Sequence, residues 1–107
     1  MLLNTALTVE KGKPESHLEI WKPFTQKLLG ILGKQEQLIW CIWGAKALAQ
    51  CEYIESEPTK HKYIVSSHPS PFSVGKKLGN YPSFSGSKPF SRINKQLKEW
   101  DKTEIQW

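Results

Sequence analysis

The sequence predicts an α/β domain built on a parallel sheet, and three observations carry that prediction. First, the run Leu38-Ile39-Trp40-Cys41-Ile42-Trp43 is apolar without alternation, the pattern of a strand buried on both faces. Second, a shorter apolar run, Tyr63-Ile64-Val65, opens a strand that reaches Ser66, with helix formers between it and the first run, the order of a parallel crossover. Third, Phe90, Ile93, Leu97 and Trp100 recur at helical spacing near the end of the chain, marking an amphipathic helix that needs a sheet or a second helix to cover it.

In chain order, residues 1–9 read as the end of a strand running into a loop, with Asn4 breaking the apolar run as a turn residue or as an amide presented to a ligand. Residues 10–20 are charged and contain Gly12 and Pro14, hence loop. Residues 21–35 read as helix, with Phe24, Leu28, Ile31 and Leu32 at helical spacing, Leu29 beside them, Pro23 in the first turn and Gly33 as a stop. Gly44 ends the strand at 38–43, and residues 45–52 are good helix formers. A polar loop with Pro58 leads to the second strand, residues 75–88 are irregular, and Pro89 opens the last helix, whose wet side carries Lys95, Lys98 and Lys102. The order strand, helix, strand, helix, strand, helix implies right-handed crossovers.

At 107 residues the chain is one small domain at most. Its net charge of +5 is uneven: residues 1–59 carry net −1, and residues 60–107 net +6. A one-sided positive field is the footprint of a nucleic-acid binder, and also the look of a lysine-rich wet surface. Cys41 and Cys51 have no paired spacing and read as reduced thiols of a cytoplasmic protein. No apolar run reaches membrane-spanning length, so no membrane partner is expected. His17, His61 and His68 lack metal-ligand spacing, and no glycine pattern cradles a phosphate, so neither a metal nor another cofactor is expected.

The stretch with most chemistry is Ser67-His68-Pro69-Ser70-Pro71-Phe72-Ser73, at the point where the second strand empties into a loop. Ligands of open α/β sheets bind at that end of the strands. Two prolines in three residues stiffen the loop, which then presents an imidazole, hydroxyls and an aromatic ring as a site or as a rigid surface turn. Carboxylates are the gap: the sole aspartate is Asp101 on the last helix, and the nine glutamates sit in charged loops or on helix faces. None is a convincing group for activating water.

Together these residues resemble the C-terminal half of a family 1 uracil-DNA glycosylase. Leu2-Leu3-Asn4-Thr5 is similar to that family's Leu-Leu-Asn-Thr strand end, with Gly12, Ser16-His17 and Phe24-Thr25 following at its spacing. Ile42-Trp43-Gly44 resembles its Leu-Trp-Gly segment, His68-Pro69-Ser70-Pro71-Phe72-Ser73 its His-Pro-Ser-Pro-Leu-Ser loop, and Gly86, Phe90-Ser91, Asn94 and Ile105-Gln106-Trp107 its closing helix and terminus. The resemblance runs through nearly the whole chain.

It implies a three-layer α/β/α domain with a central parallel sheet, of which residues 1–107 are the C-terminal portion and an incomplete half. It implies hydrolysis of the N-glycosidic bond of uracil in DNA after the nucleotide is flipped from the stack. By this resemblance Asn4 reads uracil through O4 and N3–H. His68 donates to O2 of the departing base, Phe72 takes the place of the wedge leucine, and Gly44, Ala45, Ser70 and Ser73 contact DNA phosphates. Ala45 stands where many members have serine, so only its backbone N–H serves. The family has little more than Arg-Gly-Phe where this chain has residues 74–85. Its Gly-Gln-Asp-Pro-Tyr-His segment, with the water-activating aspartate, has no counterpart here. The expectation is therefore a fragment or truncated gene product that acts on uracil-containing DNA with a complementing N-terminal half. The alternative is an inactive DNA-binding remnant or subunit.

Overall fold

The computed structural model describes residues 1–57 and 60–107; Pro58 of the expected loop lies outside them. The chain divides into two compact units, residues 1–35 with 50–56, and residues 36–49 with 57–107.

The first unit is built on helix α1, Leu18–Gly33. It starts three residues before the expected position 21, because the Trp21 N–H already finds the His17 carbonyl at 3.1 Å. Pro23 therefore lies inside the helix rather than at its first turn. The buried stripe is also not the apolar one expected: Thr25, Leu29 and Gly33 are buried, whereas Phe24 and Ile31 are half exposed. Beside Leu29, glycine holds positions 30 and 33 because the chain at Tyr53 and Glu55 approaches the helix closely. A Cβ on Gly33 would stand 2.5 Å from the Glu55 carbonyl oxygen, so no side chain fits there. Gly33 is indeed the last helical residue. Residues 1–9 form no strand in a sheet, since a strand exists only where a neighbour takes up its backbone groups. They are pinned to α1 instead. Thr25 Oγ1 donates to the Thr5 carbonyl at 2.9 Å. Trp21 Nε1 donates to Thr8 Oγ1 at 2.7 Å, and that oxygen also lies 2.9 Å from His17 Nδ1.

In the second unit, β1 (Ile39–Trp43) and β2 (Lys62–Ser66) form a two-stranded parallel sheet in the register Ile39↔Lys62 through Trp43↔Ser66. Helix α2 is short, Ala45–Ala49, and the expected helix continues only as a 3-10 turn, Gln50–Tyr53. Helix α3, Pro89–Glu99, packs against both strands. Ile93 and Ile64 are buried, and Trp43 meets the ring of Phe90 edge-on at 6.2 Å. Phe90, expected in the core, keeps two fifths of its surface in solvent because the C-terminal Trp107 covers only one side of it, at 4.7 Å.

A two-stranded sheet is marginal by itself, and parallel strands are normally covered on both faces. Among the described residues β1 pairs only with β2. The Trp40 and Trp43 indole N–H groups are buried with no acceptor among the described residues, a cost of about 1–3 kcal/mol each. Leu2, Leu7, Val9, Phe72 and Trp107 stand exposed. Sedimentation velocity of the purified chain at tens of micromolar is accordingly expected to show self-association. A sharp monomer boundary with cooperative urea unfolding would contradict this.

Candidate functional site

The loop at the C-terminal end of β2 is held by a closed set of hydrogen bonds. His68 is the first residue to leave the strand region for solvent, after buried Ser66 and Ser67. The Ser70 N–H donates to His68 Nδ1 at 3.1 Å. That bond needs a lone pair on Nδ1, which makes the imidazole neutral and places its proton on Nε2. The ring thus presents one N–H donor outward. Ser73 Oγ donates to the His68 carbonyl at 3.1 Å and lies 2.9 Å from Ser70 Oγ, so the Ser70 hydroxyl is the donor of that second pair. The Ser73 N–H goes to the Ser70 carbonyl. Every donor of Ser70 and Ser73 is therefore used within the loop, and a phosphate contact requires the Ser70 hydroxyl to rotate away from Ser73 or the Ser73 hydroxyl away from the His68 carbonyl.

Behind the loop, the Gly44 N–H donates to the Ser66 carbonyl at 3.0 Å, continuing the ladder past β1. This changes the role expected for Gly44: its N–H is engaged, and among the two backbone donors named only that of Ala45, first in α2, lacks an intrahelical acceptor. Gly44 has φ +96°, and a Cβ on it would stand 3.1 Å from His68 Cβ. The glycine is what lets β1 end directly against the histidine. Phe72 is 86% exposed, on a turn between two prolines' worth of stiff chain and Ser73, where an apolar ring has no core to join.

Asn4 belongs to the first unit. It is exposed, its amide makes no hydrogen bond among the described residues, and the next residue is tied to α1 through Thr25. The second unit brings together His68, Gly44, Ser70 and Ser73, with Phe72 on the same loop.

Two residues named in the sequence without a role of their own are buried and hydrogen-bonded. Ser67 is 3% exposed; its hydroxyl donates to the Ser73 carbonyl at 2.8 Å and accepts the Phe84 N–H at 2.9 Å. The signal for it is faint: a second serine between a strand and a proline loop. His61 is buried, and its Nδ1 accepts the Leu38 N–H at 3.1 Å. Burial pushes the Cys41 thiol up, with Arg92 opposing it, and burial alone pushes Cys51 up, so neither is poised as a thiolate nucleophile. Among the described residues, no three His, Cys, Asp or Glu side chains gather as a metal set, and no helix is long and apolar enough to cross a membrane.

The sequence profile described as "Uracil DNA glycosylase superfamily" matches residues 1–98. The chain belongs to that superfamily. Among its glycosylase relatives, the uracil-DNA glycosylase of Lysinibacillus sphaericus is 42% identical over 109 aligned positions, covering 100% of this chain and 46% of the relative. That of Saimiriine herpesvirus 2 is 37% identical, covering 100% and 43%. A crystal structure of mimivirus uracil-DNA glycosylase superposes with TM-score 0.81 at 36% identity, covering 94% of this chain and 40% of that one. A mimivirus UNG variant in complex with UGI reaches TM-score 0.89 over 98% and 42%. The chain thus spans less than half the length of the glycosylases it matches, and its parallel sheet and helices are an incomplete α/β fragment of their fold.

Proposed function

We propose that residues 1–107 are the C-terminal portion of one uracil-DNA glycosylase domain and act in removing uracil from DNA. The observation that carries this reading is the Ser70 N–H bond to His68 Nδ1. It aims a neutral Nε2–H donor out of a stiff loop, which is what a departing uracil anion needs at O2. A donor fixed before charge develops stabilises the transition state more than the ground state. Asn4 selects the base: its amide N–H₂ donates to O4 and its oxygen accepts from N3–H, and cytosine reverses both polarities. Phe72 enters the stack in place of the flipped nucleotide. The Ala45 N–H and the Ser70 and Ser73 hydroxyls hold phosphates, which position the strand without reading sequence.

No group on this loop prepares the water. Between Glu57 and Glu99 there is no Asp or Glu. Uracil-containing DNA is therefore the substrate of a complete domain, whose other half supplies the base for water. The same gap favours a second reading, in which the chain alone is a DNA-binding remnant or subunit without catalysis.

A chimera tests the first reading. The matched portion of the Lysinibacillus sphaericus glycosylase is replaced with this chain, and release of labelled uracil from a U·G duplex is followed. The chimera is expected to release uracil, while the 107-residue chain alone releases little or none. A folded chimera without activity would refute the assignment, and robust release by the chain alone would reveal a water-activating group within it.

A further inference from the structure

Residues 74–85 lengthen the chain just after the wedge, and they are a built lobe. At the near end two successive turns share Ser73. The Ser70 carbonyl accepts the N–H groups of Ser73 and Val74 at 3.0 and 2.8 Å, and the Ser73 carbonyl accepts the Lys76 N–H at 2.9 Å. At the far end the Ser85 N–H returns to the Val74 carbonyl at 2.8 Å. Leu78 and Tyr81 exchange both backbone bonds, at 3.1 and 2.9 Å, around a turn in which Gly79 takes φ +56°. Buried Ser67 ties the lobe down, its N–H to the Pro82 carbonyl at 3.1 Å and its hydroxyl to the Phe84 N–H. The Phe84 ring then meets Trp43 of β1 edge-on at 5.3 Å.

This lobe presents Lys76 and Lys77, both exposed and neither ion-paired among the described residues. With no carboxylate between Glu57 and Glu99, nothing nearby in sequence neutralises them. Lys76 is four residues from Phe72, no more than about 14 Å at full extension. On one DNA strand that spans about four nucleotides. Because the two turns share Ser73, hydrogen-bonded chain runs without a break from the wedge loop to Lys76. We propose that residues 74–85 are a second DNA-contacting arm, in which Lys76, within about four nucleotides of the base displaced by Phe72, and the adjacent Lys77 bind backbone phosphates. The proposal rests on the DNA-binding reading above. Such contacts position the duplex and carry no sequence preference.

The test is fluorescence anisotropy of the 107-residue chain with a fluorescein-labelled duplex bearing one U·G pair, across a salt series. Lys76→Ala/Lys77→Ala is expected to lower the slope of log Kd against log salt by about 2, and each single substitution by about 1. Affinity at low salt falls about tenfold or more in the double variant. Lys76→Arg/Lys77→Arg keeps the parent slope. Lys22→Ala/Lys27→Ala removes the same charge from α1 and leaves the slope unchanged. An unchanged slope for Lys76→Ala/Lys77→Ala, with Phe72→Ala still weakening binding, overturns the arm and spares the DNA-binding reading. A slope lowered equally by the α1 pair reduces the effect to net charge and also overturns it. Absence of salt-dependent binding by the parent chain overturns both.

Discussion

His68→Leu in the chimera is expected to lower the rate of uracil release by about 100- to 1,000-fold, the usual cost of removing one preorganised donor from a site of developing negative charge. Leucine is close to histidine in volume but offers no N–H, and it leaves the Ser70 N–H without the acceptor it has at 3.1 Å. The side chain is exposed, so its loss opens no cavity and the fold should persist. The informative comparison is His68→Gln, whose amide can donate but has no Nδ1 lone pair held by Ser70. It is expected to recover part of the loss. Single-turnover kinetics on a U·G duplex measures both. Equal rates for the parent chimera and His68→Leu would remove the histidine from the chemistry.

Gly44→Ala is expected to act on both stability and rate. At φ +96° an L-residue is strained by about 1–2 kcal/mol. The added Cβ also meets His68 Cβ at 3.1 Å, tighter than ordinary contact, and neither atom is the loose end of a flexible chain. The histidine must shift by a few tenths of an ångström. Given the steep dependence of rate on alignment, about a tenfold loss in kcat is expected for the chimera. Gly86→Ala separates the two causes. Gly86 also has positive φ, +80°, but a Cβ there meets nothing within 4 Å. It should lower the melting temperature similarly and leave kcat per folded molecule unchanged. A matching loss of kcat in Gly86→Ala would assign the effect to strain alone.

The elements legible in the sequence share one property: their signal is local. The apolar runs at 38–43 and 63–65 lie in the strands Ile39–Trp43 and Lys62–Ser66 because neither run alternates with polar residues that would face water. Helix α3 is visible because Ile93 and its neighbours repeat at helical spacing. The loop from His68 to Ser73 is visible because its prolines restrict the backbone whatever surrounds it. The roles expected of Asn4, Gly44 and Phe72 come from resemblance, which compares positions and needs no packing.

What the tertiary structure alone decided depends on partners distant in the chain. Residues 1–9 carry a strand's composition yet form none, because strand geometry persists only where another strand accepts its hydrogen bonds. The buried face of α1 is Thr25, Leu29, Gly30 and Gly33, while Phe24 and Ile31 stay half exposed, because the backbone at Glu55 leaves no room for a side chain at Gly33. Gly44 spends its N–H on Ser66 instead of a phosphate. Ser67, unremarkable in sequence, links the His68 loop to residues 82–84 through one hydroxyl. Composition and periodicity determine which segments want burial and which stiffen. Which donor meets which acceptor is a matter of distance in three dimensions, and only the folded chain sets it.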